Sequence, residues 1–164
     1  MDNGAICGVG TAMVTPFTAD GSVDFEALER FIDFQIKGGV NFLVPLGTTG
    51  ETPTLTEDEQ AEIIKLALRM AEGKVPVVVG CTSNNTAEVV ERGKRFKGYG
   101  VTHVLSACPY YNKPTQEGIY QHYKALRDGT GLEIMLYNVP GRTASNAMPD
   151  TIARLGADGI IFGV

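Results

Sequence analysis

The sequence predicts an α/β fold in which strands and helices alternate and the strands run parallel. Short apolar runs recur along the chain, bounded by Gly, Pro and Asn. Several are almost continuously apolar, which is typical of strands covered on both faces. Segments with helical periodicity separate these runs. Successive strands begin near residues 42, 75, 103, 133 and 159, so the repeat is roughly the 30 residues of one βαβ unit.

Six strands are predicted from the apolar runs. Pro45 falls inside the second run, and a proline cannot donate a hydrogen bond to a strand ladder, so we expect it near the end of that strand. The six runs cover residues 6–14, 42–46, 75–79, 103–107, 133–137 and 159–164.

Five helices are predicted between the strands. The first stops at the glycine pair 38–39. The second opens with Thr56 and has Glu59 three residues later, which is the pattern of a capping box. The last begins with Pro149, a favourable residue for a first turn. The predicted helices cover residues 24–39, 56–70, 86–98, 116–128 and 149–155.

Two architectures fit this alternation, a doubly wound sheet and a (β/α)8 TIM barrel. A doubly wound sheet would have a glycine fingerprint opening the helix after its first strand, whereas GVGTAM (8–13) lies within the strand run. A barrel needs eight strands and typically about 250 residues. We therefore predict a single (β/α)8-barrel domain over residues 1–164, which supplies about the first six β/α units and is incomplete at its C-terminal end.

Composition excludes several classes of function. The net charge is −5 with no basic patch, so nucleic acid is not an expected partner. No apolar run is long enough to span a membrane, and the sequence predicts a cytoplasmic protein. Cys7, Cys81 and Cys108 are scattered, and His103 and His122 lack metal-ligand spacing. We therefore expect no disulfide framework, metal or cofactor.

In a barrel the active site forms at the carboxyl ends of the strands. The segments that follow the predicted strands are rich in hydroxyl groups and carry one arginine, Arg142. Hydroxyl chains can pass protons, and an arginine can bind a carboxylate with two hydrogen bonds. The pattern predicts metal-free acid–base chemistry on a small carboxylate. The hydroxyl-bearing residues are Thr15, Thr48, Thr49, Tyr110, Tyr111, Tyr137 and Thr143.

The segment GTTGET (47–52) directly follows the second strand. Its glycines would let the backbone turn sharply and let a ligand approach closely. Its two threonines add two hydroxyls and two amide groups, which suit a small anion. A tight strand-to-helix turn with no ligand would use the same residues, and both interpretations stay open on these residues alone.

The predicted chemistry also needs a nucleophile. Metal-free carbanion chemistry on a keto acid usually runs through a lysine Schiff base. Six of the seven lysines fall on predicted helices or helix ends, and Lys113, in YNKP, is expected to be exposed. The nucleophile is therefore missing from these residues.

Three motifs carry a family resemblance. GTTGE (47–51), PYYNKP (109–114) and YNVPGRT (137–143) occur in this order after predicted strands. Together they resemble the dihydrodipicolinate synthase family, over the whole chain from TPF (15–17) onward. The first motif also resembles that of N-acetylneuraminate lyases, whereas YNVPGRT is similar to the dihydrodipicolinate branch alone.

The resemblance implies an aldolase-like condensation of pyruvate with L-aspartate 4-semialdehyde through a lysine Schiff base. The product would be 4-hydroxy-tetrahydrodipicolinate, for diaminopimelate and lysine biosynthesis. It further implies that Tyr137 donates and accepts protons, and that Thr48 links Tyr137 to Tyr111. Thr49 would hold the pyruvate carboxylate, and Arg142 would anchor the relay's entrance and the semialdehyde carboxylate.

The resemblance also implies regulation by L-lysine. Asn84, Glu88 and Tyr110 match family positions that bind lysine as a feedback inhibitor. An amide, a carboxylate and an aromatic ring suit a ligand that bears an ammonium group. Glu57 and Gln60 stand where lysine-sensitive bacterial relatives often carry histidines. The three matching residues could therefore be interface contacts instead.

Assembly and length are two further implications. The family forms a homotetramer, a dimer of dimers, in which Tyr111 would reach the site of the neighbouring subunit. The Schiff-base lysine of the family ends the sixth strand in a pattern similar to IIGIKEA, and this chain reads IIFGV up to Val164. We expect a lysine, free or as an adduct, directly after Val164, followed by two further β/α units and any C-terminal helices.

Two alternative functions remain open from the sequence. One is a sister pyruvate-dependent aldolase, such as an N-acetylneuraminate or 2-keto-3-deoxy acid lyase, although Arg142 counts against it. The other is a non-catalytic ligand-binding protein, which a chain with no usable lysine permits.

Overall fold

The computed structural model describes residues 6–164. The chain divides into two compact units, the first ending at Gly80 and the second beginning at Cys81. Each unit contains one ladder of parallel strands with helices between the strands. This is the α/β arrangement that the sequence predicts.

The first unit pairs its first two strands in parallel, with Gly10 opposite Phe42. The segment just before the third strand also pairs with the second strand, because the Leu43 amide donates to the Pro76 carbonyl at 3.0 Å. The elements are strands β1 (Gly10–Ala12), β2 (Phe42–Val44) and β3 (Val78–Gly80), helices α1 (Phe25–Lys37) and α2 (Glu57–Ala71), and two 3₁₀ helices, Thr48–Gly50 and Thr52–Thr54.

Side-chain caps fix where the helices of this unit begin. The Asp24 carboxylate accepts a hydrogen bond from the Ala27 amide at 2.8 Å and starts α1. Thr56 and Glu59 form the predicted capping box at the start of α2. Apolar side chains of α1 and α2 are buried, and the two helices pack against each other. The fully buried side chains here include Leu28, Ile32, Leu43, Ile63 and Ile64.

The second unit pairs β4 and β5 in parallel, with His103 opposite Glu133 and Ala107 opposite Tyr137. The predicted sixth strand is reduced to one parallel bridge between Gly163 and Met135. The elements are strands β4 (His103–Ala107) and β5 (Glu133–Tyr137), and helices α3 (Thr86–Gly98), α4 (Gln116–Thr130), α5 (Pro140–Thr143) and α6 (Pro149–Ala157).

The predicted strands at 6–14 and 42–46 were too long, and the strand predicted at 75–79 began three residues early and ended one residue early. Three short helices were not predicted. An apolar run can continue beyond the paired residues, whereas a strand lasts only as long as its backbone is paired. Pro45 lies immediately after β2, as expected. The two 3₁₀ helices and α5 span three or four residues each, which is too short for any periodicity to appear.

His122 is a buried titratable group in the second unit. Its Nδ1 atom lies 2.8 Å from the Thr86 hydroxyl, and its ring meets Tyr123 edge-on. Its Nε2 atom has no hydrogen-bond partner in the described part of the chain. Burial therefore disfavours the imidazolium form and lowers the pKa of His122 to about 4.

We expect the stability of the protein to fall in mild acid because of His122. Above pH 6.5 the side chain is neutral in both the folded and the unfolded state. Between pH 6.5 and 4 only the unfolded state takes up a proton, so the free energy of unfolding drops by about 3 kcal/mol in total. Urea unfolding of the wild type and of His122→Gln across this range measures the effect. The variant should show a shallower pH dependence, and an unchanged slope would contradict the assignment.

Candidate active site

Thr48 and Thr49 lie on the 3₁₀ helix that follows β2, four and five residues after that strand ends. Both side chains are exposed. Within residues 6–164 neither hydroxyl has a hydrogen-bond partner. The turn therefore presents two adjacent hydroxyl groups to solvent.

Three side chains lock the backbone of this turn. The buried Thr15 hydroxyl donates to the Gly50 carbonyl at 2.7 Å, and the Thr52 hydroxyl donates to the Gly47 carbonyl at 3.0 Å. The Gln60 amide donates to the Leu55 carbonyl at 3.1 Å. These bonds hold the turn from both ends and leave its threonine side chains unrestrained.

The glycines of the turn do not make the sharp backbone turn that was expected of them from the sequence. The left-handed backbone conformations fall on Leu46, with φ of 58°, and on Glu51, with φ of 53°. Gly47 has an ordinary φ of −71°. Gly50 is needed for space, since a Cβ atom there would lie 3.1 Å from the Met13 carbonyl oxygen. Close packing, rather than a sharp glycine turn, explains this glycine.

Gly80 makes the tightest backbone approach in the first unit. A Cβ atom on Gly80 would lie 2.0 Å from the Leu46 carbonyl oxygen and 2.7 Å from the Gly47 nitrogen. The Gly80 amide also donates to the Pro45 carbonyl at 2.8 Å. The end of β3 therefore supports the backbone that leads into Thr48 and Thr49.

Tyr137 is the last residue of β5 and is 42% exposed. Its carbonyl accepts from the Cys108 amide at 3.2 Å, which fixes its backbone at the end of the ladder. Its hydroxyl has no partner among the residues that the structure describes. The phenol is therefore anchored through its main chain and open at its polar tip.

Asn138 holds the segment that follows Tyr137. Its amide nitrogen donates to the Asn146 side-chain oxygen at 2.8 Å and to the Ala147 carbonyl at 3.2 Å. Its amide oxygen accepts from the Ala147 nitrogen at 3.1 Å. Sequence reasoning did not single out Asn138. Its position between Tyr137 and Arg142 in one motif was the only available signal.

Arg142 lies on the four-residue helix α5. The buried Thr143 hydroxyl donates to the Ser145 carbonyl at 2.8 Å and closes this helix against the next segment. The guanidinium of Arg142 is exposed and has no hydrogen bond or ion pair with any residue in 6–164. The fold therefore fixes the backbone of Arg142 and leaves its charge available to a carboxylate.

Tyr111 lies in the loop after β4 and is 87% exposed. Its φ of 70° is unusual for a tyrosine, and its amide donates to the Thr143 carbonyl at 3.2 Å. The bond ties the backbone of Tyr111 to the segment that carries Arg142. With this exposure, the ring packs against little of its own unit.

The three residues expected to bind lysine are only partly brought together. The Asn84 side-chain amide donates to the Tyr110 carbonyl at 3.2 Å, and the Asn112 amide donates to the Asn84 carbonyl at the same distance. Glu88 instead forms an ion pair with Arg92, at 2.7 Å. Sequence reasoning did not identify Arg92.

No residue of the described chain has the environment of a nucleophilic lysine. None of the seven lysines is buried, and Lys113 is exposed in the loop after β4. Cys108 lies beside Asn138, but burial raises the pKa of its thiol. A protonated thiol is a poor nucleophile, so Cys108 does not take this role.

Two further properties concern residues 6–164 as a whole. They contain no group of three or more His, Cys, Asp or Glu side chains that could hold a metal ion. They also contain no helix of the length and apolar character that a membrane span requires.

Comparison with known proteins identifies the family. Residues 5–164 match the Dihydrodipicolinate synthetase family, so the chain belongs to it. The 4-hydroxy-tetrahydrodipicolinate synthase of Koribacter versatilis is 54% identical over 149 residues, which cover 90% of this chain and 50% of that protein. The chain spans about half the length of the curated relatives it matches.

Solved structures agree with the predicted fold class, a (β/α)8 TIM barrel of which this chain supplies N-terminal units. Dihydrodipicolinate synthase from Thermotoga maritima has a TM-score of 0.92 and 47% identity, covering 96% of this chain and 53% of its own. A structure described as a monomeric dihydrodipicolinate synthase variant has a TM-score of 0.91 and 48% identity, covering 94% and 51%.

Two other structures have ligands in their names. Dihydrodipicolinate synthase from Acinetobacter baumannii is complexed with pyruvate, with a TM-score of 0.88 and 45% identity over 92% of this chain and 52% of that one. The structure named DHDPS from Cyanidioschyzon merolae has lysine bound, with a TM-score of 0.88 and 36% identity over 93% and 52%.

We expect Gly80→Ala to damage both stability and the turn that carries Thr48 and Thr49. The new Cβ would overlap backbone atoms of Leu46 and Gly47, which cannot move aside as a side-chain tip can. Such overpacking costs about 1–3 kcal/mol. Thermal unfolding of the protein measures the loss.

Gly98→Ala is the matched control, because a Cβ there meets nothing within 4 Å at the end of α3. The control should be neutral or slightly stabilising. Equal melting temperatures for the two variants would show that the approach at Gly80 does not constrain the turn.

Proposed function

We propose that the protein to which this chain belongs is a 4-hydroxy-tetrahydrodipicolinate synthase, a lyase of the class I aldolase type. It condenses pyruvate with L-aspartate 4-semialdehyde through a lysine Schiff base. The product serves diaminopimelate and lysine biosynthesis, in the cytoplasm. Family membership and the names of the relatives support the reaction class.

One observation carries the proposal beyond family membership. Four hydroxyls and one guanidinium lie at or after the carboxyl ends of strands, are exposed, and have no protein partner within residues 6–164. Polar side chains on a held backbone and without protein partners are available to bind a substrate. They belong to Thr48, Thr49, Tyr111, Tyr137 and Arg142.

We assign the proton transfers to Tyr137, Thr48 and Tyr111. When an amine adds to the ketone of pyruvate, the new alkoxide must gain a proton, and the hydroxyl must later leave as water. Tyr137 would supply and recover these protons, and Thr48 would pass them to Tyr111. The open phenol tip of Tyr137 on a fixed backbone supports this role.

We assign the two substrate carboxylates to Thr49 and Arg142. Thr49 would bind the pyruvate carboxylate through its hydroxyl and amide, on a turn held by Thr15. Arg142 would bind the semialdehyde carboxylate with its planar fork, which matches a carboxylate better than a lysine does. None of the seven lysines here is buried, so we assign the amine to none of them.

Assembly and regulation form part of the same proposal. We expect a homotetramer in which Tyr111 completes the relay of a neighbouring subunit, and its exposed ring and strained φ support this. L-lysine would act as an effector at Asn84, Glu88 and Tyr110, by analogy with the lysine-bound relative.

The decisive experiment traps the Schiff base with borohydride. The full-length protein, incubated with pyruvate and reduced, should gain the mass of one pyruvate-derived adduct per chain on a lysine. Tyr137→Phe should trap about a hundredfold more slowly, because general acid–base groups contribute at least that factor. Mass spectrometry with a time course measures both.

Tyr120→Phe is the control for that experiment. Its hydroxyl bonds to Asp158 at 2.7 Å on the α4–α6 side, away from the strand ends. The control should trap at the wild-type rate. No adduct on the wild type would refute the proposal. Pyruvate release from N-acetylneuraminate without condensation activity would favour the sister aldolase.

Arg142→Ala should lower kcat/KM for aspartate semialdehyde by about ten- to a hundredfold. Losing a hydrogen-bonded charge pair costs about 1.5–3 kcal/mol. Steady-state kinetics at saturating pyruvate measure this loss. The kcat/KM of Arg142→Lys should fall between those of the wild type and Arg142→Ala. Arg30→Ala, an exposed arginine on α1, is the control. Undiminished efficiency in Arg142→Ala would refute the assignment.

A further inference from the structure

The Glu88 carboxylate is engaged on both of its oxygens. Its Oε2 atom accepts from the Ser83 hydroxyl at 3.0 Å, and its Oε1 atom lies 2.7 Å from Nη2 of Arg92. Ser83 is buried, so one of the two partners is supplied by the interior of the unit. The Glu88 carboxylate therefore already has an ion-pair partner and a hydrogen-bond donor before any ligand binds.

Arg92 is a fixed cation rather than a mobile surface side chain. Its Nη1 atom donates to the Thr82 carbonyl at 2.6 Å, so the guanidinium bridges the loop before α3 and the carboxylate of Glu88. Its side chain is only 21% exposed. The acid precedes the base by four residues on α3, which is the favourable orientation for such a pair.

The neighbouring polar groups do not compensate for the positive charge of Arg92, because they are hydrogen-bonded to other groups. The Asn84 amide nitrogen is used by the Tyr110 carbonyl, and the Asn112 amide is used by the Asn84 carbonyl. A ligand ammonium at Glu88 would thus meet a shared carboxylate and a nearby fixed guanidinium. Like charges at close range repel, and solvent screens the repulsion only in part.

We propose that Arg92 forms an internal ion pair with Glu88 and thereby weakens the binding of ligands with an ammonium group, L-lysine in particular. This inference rests on the proposed function, which places an L-lysine effector at Asn84, Glu88 and Tyr110. Arg92 is then a specificity-determining residue of that site. It sets the affinity of this protein for lysine through a contact that lies wholly within the second unit.

The test compares L-lysine binding across charge variants of the full-length protein by isothermal titration calorimetry. Arg92→Gln should bind L-lysine about two- to fivefold more tightly than the wild type, the range of a partly exposed ion pair. Arg92→Lys keeps the charge and should stay within twofold of the wild type. High salt should reduce the gain, because it screens the charges involved.

Lys94→Gln is the matched control for net charge. Lys94 lies on the same helix and pairs with Glu91 at 2.6 Å, not with Glu88. It should leave L-lysine affinity unchanged. The double variant Glu88→Gln/Arg92→Gln should lose the gain of the single variant, which separates release of the carboxylate from a general loosening of the loop.

Each outcome decides the inference. Equal dissociation constants for the wild type and Arg92→Gln overturn it, as does an equal gain in Lys94→Gln or in the double variant. No measurable L-lysine binding by any variant overturns it as well. Condensation activity of the wild type without lysine is measured separately, so that failure of the proposed function is recognised independently of the binding comparison.

Discussion

Parallel pairing of short strands is the constraint on which the candidate site depends. Unpaired backbone groups are costly to bury, so each strand must lie beside a partner in one register. In the first unit Gly10 lies opposite Phe42, and in the second Ala107 lies opposite Tyr137. Because parallel strands within a unit end at one edge, the segments after them emerge together there. The polar residues of the candidate site are on those segments.

Hydroxyl groups at these strand ends divide into two sets. Thr15, Thr143 and Ser83 are buried, and their hydroxyls bond to main chain or to a carboxylate. Thr48 and Tyr137 are exposed, and their hydroxyls have no partner within residues 6–164. The first set keeps the backbone in place. In these five side chains the buried hydroxyls have partners and the exposed hydroxyls do not.

The same division applies to arginines in the second unit. Arg92 is partly buried, and its charge is used by Glu88 and the Thr82 carbonyl. Arg142 is exposed on a four-residue helix, and the part of the chain that the structure describes offers its guanidinium no partner. One charge is held by contacts within the unit, and the other is open to solvent. Both residues are arginines after or near a strand end, so the residue type does not predict which of them is paired.

The sequence alone determined the parallel β/α order, the capping box at Thr56 and the family, because periodicity, capping and motifs are local patterns along the chain. Only the tertiary structure decided that Gly80 supports the turn at Leu46, and that Arg92 forms an ion pair with Glu88. Close backbone approach and charge pairing depend on three-dimensional distances. Residue types at a given spacing do not specify which partner a side chain finally contacts, since burial and the competing hydrogen bonds decide it.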